Sequence, residues 1–286
     1  MSARVATRRF SALRIALFRA FERVCAACGG RWIYRRRHLA PGRLVARHEE
    51  VRVNDATGSV EGYRVAVLSD FHAGSFLGPG GLAHALDIVA RFEPDAVCLL
   101  GDFIVHAVEE FDGIADDLAQ LRARDGVFCV FGNHDYKGRL EAHIVERLAR
   151  TGGRFLRNEA ARCERVPSLV FVGIEDAEEG RVVDPERARA ALRPGDVELA
   201  LTHNPQAARA FLEPSPAGRG AAVVLAGHSH GTQVDLPVLR GLGPAHPGLR
   251  VEFGATTLLV TRGVGVVGVP LRVGAPAEVL CLTLRA

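Results

Sequence analysis

Residues that bind metal ions recur at short spacings along the middle of the chain. In order, they are Asp70 and His72, Asp102, Asn133 and His134, His203, and finally His228 and His230. Their carboxylate, amide and imidazole groups are ligands for divalent cations. A single Asp-x-His or a histidine beside glycine carries little information, because both occur by chance. The ordered set is more specific, and it predicts one metal centre assembled from several turns.

Each of these residues follows an apolar run. The runs are YRVAVLSD, DAVCLLGD, GVFCVFGNHD, VELALTHN and AAVVLAGHSH. Continuous apolar runs are typical of strands that are buried on both faces. Because ligands bind at the carboxyl ends of strands in open α/β sheets, we expect the polar side chains to share one rim. Alternate residues of an extended chain point the same way, so Asp70 with His72, and His228 with His230, can act as pairs.

Helical patterns separate the first strands. Residues 80–92, 109–124 and 139–150 have helical length and amphipathic spacing. This alternation predicts βαβ units and a largely parallel sheet, which is an α/β fold. Further strands are predicted near residues 169–174, 251–253, 257–260 and 279–282. They follow the last helical pattern, so we expect a second sheet packed on the first within one domain of residues 51–286.

The composition is that of a globular protein. The chain has 286 residues, 48% hydrophobic and 24% charged, which is enough to bury a large core. Cys98, Cys129 and Cys281 lie in apolar runs, where free cysteine behaves as a small hydrophobic residue. No disulfide framework is predicted, and a reducing, cytoplasmic location is the simpler interpretation. The lone CxxC at Cys25 to Cys28 is interpreted as a coincidence of helical spacing rather than a zinc site.

Residues 1–50 form a basic N-terminal arm. They hold 12 Arg and 3 Glu, or +9, whereas the whole chain carries +3, so residues 51–286 carry −6. Apolar residues recur in the arm with helical spacing, and these are Phe10, Leu13, Leu17, Phe21 and Val24. The pattern predicts a basic amphipathic helix on an anionic membrane surface, with docking on its own domain as the alternative. Arginines interrupt it before the roughly 20 apolar residues of a membrane span.

A nucleic-acid partner is not expected. Arginines could bind phosphates, but the arm lacks interleaved aromatic residues beyond Trp32 and Tyr34, which stacking on bases would use.

The order D-x-H, G-D, G-N-H-D, a lone His and G-H-x-H resembles the signature of the calcineurin-like metallophosphoesterase superfamily, over residues 64–272. The resemblance implies a two-sheet β-sandwich flanked by helices, the αββα fold, and a dinuclear metal centre. The implied ligands are Asp70, His72 and His230 for one ion, Asn133, His203 and His228 for the other, and Asp102 as the bridge. His134 would face the substrate, as the acid for the leaving group or as a stabiliser of developing charge.

The implied chemistry is metal-dependent hydrolysis of a phosphoester or pyrophosphate. Two cations about 3.5–4 Å apart clamp the attacking and leaving oxygens of an in-line displacement. The mixed ligands suit Mn, Fe or Zn better than Ca, with Mn expected first. The family often has Asp three residues after the bridging Asp, where this chain has Val105 with His106 beside it. Asp135 is expected to cap the helix that follows it.

A narrower resemblance concerns the stretches GTQVDLP, TRGVG and PLR. They are similar to bacterial membrane-associated phosphoesterases, a subgroup that includes a UDP-2,3-diacylglucosamine hydrolase of lipid A synthesis. That resemblance implies a lipid-linked substrate and a place on the inner face of the cell membrane. Arg262 is a candidate phosphate contact, because guanidinium binds phosphate bidentately. The loop at residues 236–249 could admit acyl chains, and Thr232 stands where the subgroup commonly has a second glycine.

Two other functions stay open from the sequence. One is a soluble phosphodiesterase for nucleotides, with the arm used for dimerisation. The other is a non-catalytic, metal-stabilised scaffold that is recruited to membranes, although the full ligand set and His134 favour an enzyme.

Overall fold

Two six-stranded sheets form the protein. The computed structural model describes residues 12–136, 141–149, 152–176, 178–179, 182–235 and 248–286. The first sheet has the order β1-β12-β2-β3-β4-β5 and the second β10-β11-β9-β8-β7-β6. The strands are β1 Val45–Arg52, β2 Arg64–Leu68, β3 Ala96–Leu99, β4 Val127–Cys129, β5 Gly153–Phe155, β6 Glu159–Arg162, β7 Leu169–Gly173, β8 Val197–Leu201, β9 Val223–Ala226, β10 Arg250–Phe253, β11 Thr256–Val260 and β12 Glu278–Arg285.

Helices flank both sheets. They are α1 Ala12–Cys25, α2 Arg31–Tyr34, α3 Ala83–Phe92, α4 Asp112–Leu118, α5 Glu141–Ala149 and α6 Pro185–Arg189. The predicted α/β fold, with two sheets and flanking helices, is therefore confirmed. The helix expected at residues 109–124 is shorter, with a 3-10 turn at Val108–Phe111 before α4. It ends early because three-residue turn bonds replace helical ones at Gln120 and Leu121, which places Leu121 in the core.

Apolar strands fill three layers of core. Along β2, Val65 and Val67 pack between the sheets, whereas Ala66 and Leu68 pack under the helices. This two-sided burial explains why the strand is a continuous apolar run rather than an alternating one. Across the inter-sheet layer, the rings of Phe128 and Phe171 stack with centroids 4.1 Å apart. Each fully buried side chain of this size contributes about 1.5–3 kcal/mol to folding.

The strands that precede the predicted ligands are neighbours. In the first sheet β2, β3 and β4 pair in parallel, and in the second sheet β8 and β9 pair in parallel. Their carboxyl ends consequently lie along one rim of each sheet. The residues that follow these strands, which include the predicted ligands, are therefore placed at neighbouring strand ends.

The arm is helical and then joins the first sheet. A π-helical turn at Ala26–Gly30, kinked at Gly29 with φ 94°, connects α1 to α2. A second π-helical turn, Arg35–Leu39, leads towards β1. Since β1 pairs with β12 from Val45 onward, the boundary expected at residue 50 falls inside a strand. Within the described part of the chain, no helix combines the length and hydropathy needed to cross a membrane.

Candidate metal centre

The predicted ligands lie in tight turns rather than in extended chain, and the turns set the directions of their side chains. Five of the predicted ligands have left-handed backbones: Asp70 (φ 52°), His72 (46°), Asp102 (53°), His228 (68°) and His230 (51°). Such a conformation is uncommon for residues other than glycine, costs of order 1 kcal/mol or more, and clusters at functional sites. Asp70 and His72 do lie together, with Asp70 Oδ1 4.0 Å from His72 Nε2, whereas His228 faces His203 and His230 faces His72. The reason given from strand alternation was wrong, because both members of each pair lie in turns.

Glycines allow neighbouring turns to approach closely. A Cβ at Gly132 would lie 2.2 Å from Asp102 Oδ1, and a Cβ at Gly227 would lie 2.6 Å from Asp70 Oδ2. Any side chain at these positions would therefore push two ligand turns apart. This is the physical reason for glycine in the G-N-H-D and G-H-x-H motifs.

The first ligand cluster contains Asp70, His72 and His230. The Nε2 atoms of the two histidines are 2.9 Å apart, and Asp70 Oδ1 lies 3.5 Å from His230 Nε2 and 4.0 Å from His72 Nε2. Two imidazole nitrogens that each lie about 2.1 Å from one cation are about 3 Å apart when their bonds meet at a right angle. All three side chains are buried. The cluster therefore fits one divalent cation.

Asp102 lies between the two clusters. Its Oδ2 atom is 3.4 Å from His72 Nε2 and 3.3 Å from His203 Nε2. Its Oδ1 atom accepts a hydrogen bond of 2.8 Å from the backbone N–H of His134, which fixes the carboxylate plane. One oxygen thus faces a ligand nitrogen of each cluster, as a bridging carboxylate requires.

The second cluster contains His203 and His228, and Asn133 is the third ligand that the resemblance implies for it. His203 Nε2 lies 3.3 Å from His228 Nδ1, and His203 Nδ1 donates to the Leu100 carbonyl at 2.6 Å. Asn133 Oδ1 is buried without a hydrogen-bond partner among the described residues. An unsatisfied buried oxygen costs about 1–3 kcal/mol, and a cation would satisfy it. Six of the seven predicted ligands are therefore linked by side-chain distances of 4.0 Å or less, and Asn133 lies on the turn beside His134, whose N–H binds Asp102.

The electrostatics of the cluster favour bound positive charge. Burial alone would raise the pKa of Asp102, but the charges of His203 and then His134 hold that pKa well below its usual range. Burial alone would lower the pKa of His203, but the charge of Asp102 and its hydrogen bond hold that pKa well above its usual range. Burial lowers the pKa of His230 to about 4, so its ring is the neutral form that binds metals.

His134 lies beside the first cluster. Its ring is edge-on to His72 with centroids 4.7 Å apart, and its Nδ1–H donates to the Val105 carbonyl at 2.8 Å. The Val105 carbonyl therefore orients the His134 ring. Val105 is the residue that occupies the position where the family often has Asp. This bond engages Nδ1, so a proton-transfer role of the predicted kind would fall to Nε2. His134 also lies close enough to His72 and Asp102 to bind a cation together with them.

Asp135 does not cap the following helix, and that prediction was wrong. Its carboxylate accepts from the backbone N–H groups of Asp102 and Gly132 through Oδ2, and of Phe103 through Oδ1. Burial and then the charge of Asp102 raise the pKa of Asp135 to about 8, against the hydrogen bonds that lower it. Asp135 therefore ties the Asp102 turn to the turn that carries Asn133 and His134.

Two residues at the site were missed from the sequence. Glu178 Oε1 lies 3.3 Å from His228 Nε2, which favours the tautomer with Nδ1 towards the second cluster. Arg272 is buried, its Nη2 lies 3.3 Å from His230 Nδ1, and the same Nη2 donates to the Arg262 carbonyl at 2.9 Å. Arg272 belongs to the quoted PLR stretch, so that motif was a usable signal. Nothing in the sequence pattern marks Glu178.

The TRGVG stretch buttresses the Asp70 turn. Val264 N–H donates to Ser69 O at 3.1 Å and Gly265 N–H to Asp70 O at 2.7 Å. Arg262 lies against the G-H-x-H turn, and its guanidinium pairs with the buried carboxylate of Glu278. The predicted phosphate contact by Arg262 stays a prediction. The loop at residues 236–249, proposed to admit acyl chains, lies outside the described residues except for 248–249.

Thr232→Gly should stabilise the protein. Thr232 has φ 70°, and its buried hydroxyl oxygen has no hydrogen-bond partner among the described residues. Removing both features should raise the free energy of unfolding by about 1 kcal/mol, or the melting temperature by about 2 °C. Calorimetry with a chelator present would measure this apart from metal binding. Thr232→Ala, which keeps the Cβ, should gain less, and a lower melting temperature for Thr232→Gly would contradict the explanation.

Comparisons with known proteins point to one family. A sequence model described as calcineurin-like phosphoesterase matches residues 63–232. A zebrafish protein named "Transmembrane protein with metallophosphoesterase domain" is 30% identical, over 82% of this chain and 56% of its own length. The chain thus spans about half the length of that relative. An uncharacterized metallophosphoesterase of Bacillus subtilis, YkuE, is 23% identical over 94% of this chain and 95% of its own. A Chlamydia muridarum protein named UDP-2,3-diacylglucosamine pyrophosphatase LpxG is 25% identical over 72% and 74%.

Proposed function

The chain belongs to the calcineurin-like phosphoesterase family of metal-dependent phosphoester hydrolases, and from that premise we propose that it uses two divalent metal ions to hydrolyse a lipid-linked phosphodiester or pyrophosphate. The observation that carries the dinuclear proposal is the position of Asp102 Oδ2, within 3.4 Å of a ligand nitrogen in each cluster. UDP-2,3-diacylglucosamine is the proposed type of substrate, and Mn is the first candidate metal, with Fe or Zn as alternatives.

The residues divide into ligands and a proton-transfer group. When bound, the two cations would polarise the phosphoryl oxygens and lower the pKa of the attacking water. Asp70, His72 and His230 would hold one cation and Asn133, His203 and His228 the other, with Asp102 shared. His134, held by its Nδ1–H bond to Val105, would act as the acid with both ring nitrogens protonated, giving the Nε2 proton to the leaving oxygen and ending as the neutral Nδ1–H ring. Arg262 is the proposed phosphate contact beside the G-H-x-H turn.

Two observations support a membrane-lipid substrate. One relative carries the name of a UDP-2,3-diacylglucosamine pyrophosphatase. In addition, the predicted apolar stripe of α1 faces solvent, with Leu17 and Val24 each 62% exposed and Phe21 also exposed. Phe10 lies outside the described residues, as does the side chain of Leu13. We propose a peripheral location on the inner face of the cell membrane, with the anionic bilayer as partner.

The face of α1 beside the apolar stripe packs on the chain's own domain. Glu22 is buried, and its carboxylate accepts from the backbone of Gly268 at 2.9 Å and pairs with His106 at 2.8 Å. The arm therefore docks on its own domain, as the alternative interpretation predicted, through the face that carries Glu22. The apolar stripe of α1 stays exposed. The two interpretations of the arm are compatible.

A substrate screen tests the proposed function. Purified protein should hydrolyse a generic aryl phosphodiester with Mn present, and a chelator should abolish that activity. It should act faster on UDP-2,3-diacylglucosamine in detergent micelles than on UDP-glucose or on cyclic nucleotides. A preference for nucleotides would favour the soluble phosphodiesterase, and no hydrolysis of any compound would favour the scaffold.

A further inference from the structure

Exposed apolar side chains from three segments lie on one side of the molecule. We name them the arm–loop surface: Leu17, Phe21 and Val24 of α1, Trp32 of α2, and Val269 and Leu271 of the following loop. Trp32 is 64% exposed, which is high for so large an aromatic residue. Monomeric proteins rarely expose contiguous apolar patches of this kind without an interaction.

Packing between the segments makes them contiguous. A Cβ at Gly268 would lie 3.1 Å from Phe18 Cζ, and one at Gly30 would lie 3.2 Å from Pro270 Cγ. The Gly268 N–H also donates to Glu22. The loop that carries Val269 is therefore held along α1 and the turn before α2, which joins the two parts of the surface.

A basic cleft lies beside this surface. It is open, encloses about 520 Å³, and is lined by Arg31, Arg35 and Arg36 with Trp32 at its wall. Arg36 stacks over the Trp32 ring at 5.5 Å. Arg31 donates to the carbonyls of Gly74 and Ser75, and Arg35 donates to the carbonyl of Gly80.

Within the described part of the chain, no carboxylate forms a salt bridge with any of the three cleft arginines. Arg31 and Arg35 donate to neutral carbonyls, and Arg36 lies over the Trp32 ring. Uncompensated guanidinium groups beside exposed apolar side chains are complementary to anionic phosphate above an acyl layer.

We propose that the arm–loop surface inserts into an anionic lipid bilayer, with the cleft of Arg31, Arg35 and Arg36 receiving phospholipid headgroup phosphates. This docking proposal extends the proposed function. What it implies for a lipid-linked substrate rests on that function. The surface includes Val269 and Leu271, which lie far outside the N-terminal arm in sequence.

The surface also borders the metal centre. Arg31 contacts the carbonyl of Ser75, three residues after the ligand His72, at 2.9 Å. The Phe18 ring lies 5.7 Å from that of His106, whose neighbour Val105 orients His134. Docking by this surface would consequently hold the catalytic rim at the level of the lipid headgroups, where a lipid-linked phosphate is found.

Co-sedimentation of the full chain with vesicles tests this proposal. Val269→Asp should weaken binding to phosphatidylglycerol-containing vesicles at least about tenfold, since it removes apolar burial and adds a negative charge. The matched control is Phe253→Asp, because Val269 and Phe253 are each 40% exposed. Phe253 lies beside the amino end of β11, whereas the predicted ligands lie at the carboxyl ends of the strands. The control should bind as the unaltered chain does.

Charge reversal tests the cleft. Arg36→Glu should weaken binding about 30-fold, because each charge near an anionic surface contributes about 1 kcal/mol and two are lost. The control Arg52→Glu alters an exposed arginine at the far end of β1. Vesicles of phosphatidylcholine alone should bind the unaltered chain weakly, and equal binding to both lipids would overturn the headgroup site.

Further outcomes separate this proposal from its rivals. If neither Val269→Asp nor Arg36→Glu binds more weakly than its control, the surface does not dock on bilayers. If ultracentrifugation without lipid shows a dimer that Val269→Asp dissolves, a second copy covers the surface and the bilayer proposal is wrong. Hydrolysis of a soluble aryl phosphodiester by the same preparations reports on the proposed function alone, so either proposal can fail without the other.

Discussion

Asp102→Ala is expected to reduce hydrolysis by more than about 10³-fold, beyond the usual loss for one electrostatic group. The reason is geometric, because Asp102 Oδ2 faces His72 and His203 in different clusters. Removing it takes one ligand from both cations and removes the carboxylate that faces both clusters. Elemental analysis after dialysis should show that the variant retains fewer than two ions per chain.

Two controls make that result specific. Asp102→Asn keeps the shape of the side chain but not its charge, and it should show a similar loss of activity. Asp117→Ala removes another buried carboxylate, one that accepts from the backbone of Gly80 and Leu82 away from the metal centre. It should retain both ions and its activity at a temperature where it stays folded. Undiminished turnover in Asp102→Ala would exclude the shared ligand.

His134→Ala should keep both ions but lose about 10²–10⁴ in rate, the usual contribution of a positioned acid–base group. The loss should be larger for an alkyl ester than for a 4-nitrophenyl ester, because only the poor leaving group needs a proton as it departs. His143→Ala is the matched control, since His143 pairs with Asp112 on the surface. Steady-state kinetics on both esters, with metal content measured in parallel, give the comparison.

The alternative role for His134 has its own signature. His134 lies within reach of His72 and Asp102, so it could itself bind a cation. In that case His134→Ala would lose an ion, and both esters would be affected equally. That outcome would overturn the assignment of His134 as the acid.

The convergence of the proposed ligands was predictable because each lies within four residues of the end of a buried strand. The strand Arg64–Leu68 is apolar on both faces, so its end was visible in the sequence, and Asp70 follows at once. Topology then brings the strand ends together without further information. The backbone conformation was not predictable in this way, since left-handed φ at Asp70 and His72 depends on contacts with other turns.

The parts that were not predicted depend on contacts between distant segments. The sequence of β1, VARHEEVR, is polar because it is an edge strand, and only its pairing with β12 reveals it. The short strands Gly153–Phe155 and Glu159–Arg162 are likewise defined by their partners. Asp135 resembled a helix cap in sequence, but the approach of the Asp102 turn determines its contacts. The sequence also did not show which face of α1 packs inward, because that depends on the contact between Glu22 and His106.

Electron paramagnetic resonance of the Mn-loaded protein tests the dinuclear centre most directly. Two Mn ions joined by the Asp102 carboxylate should be magnetically coupled and give a broad, exchange-coupled spectrum. That coupled signal should appear at a loading of two ions per chain and should be absent from Asp102→Ala. An isolated six-line Mn signal from the unaltered protein at every loading would contradict the shared centre.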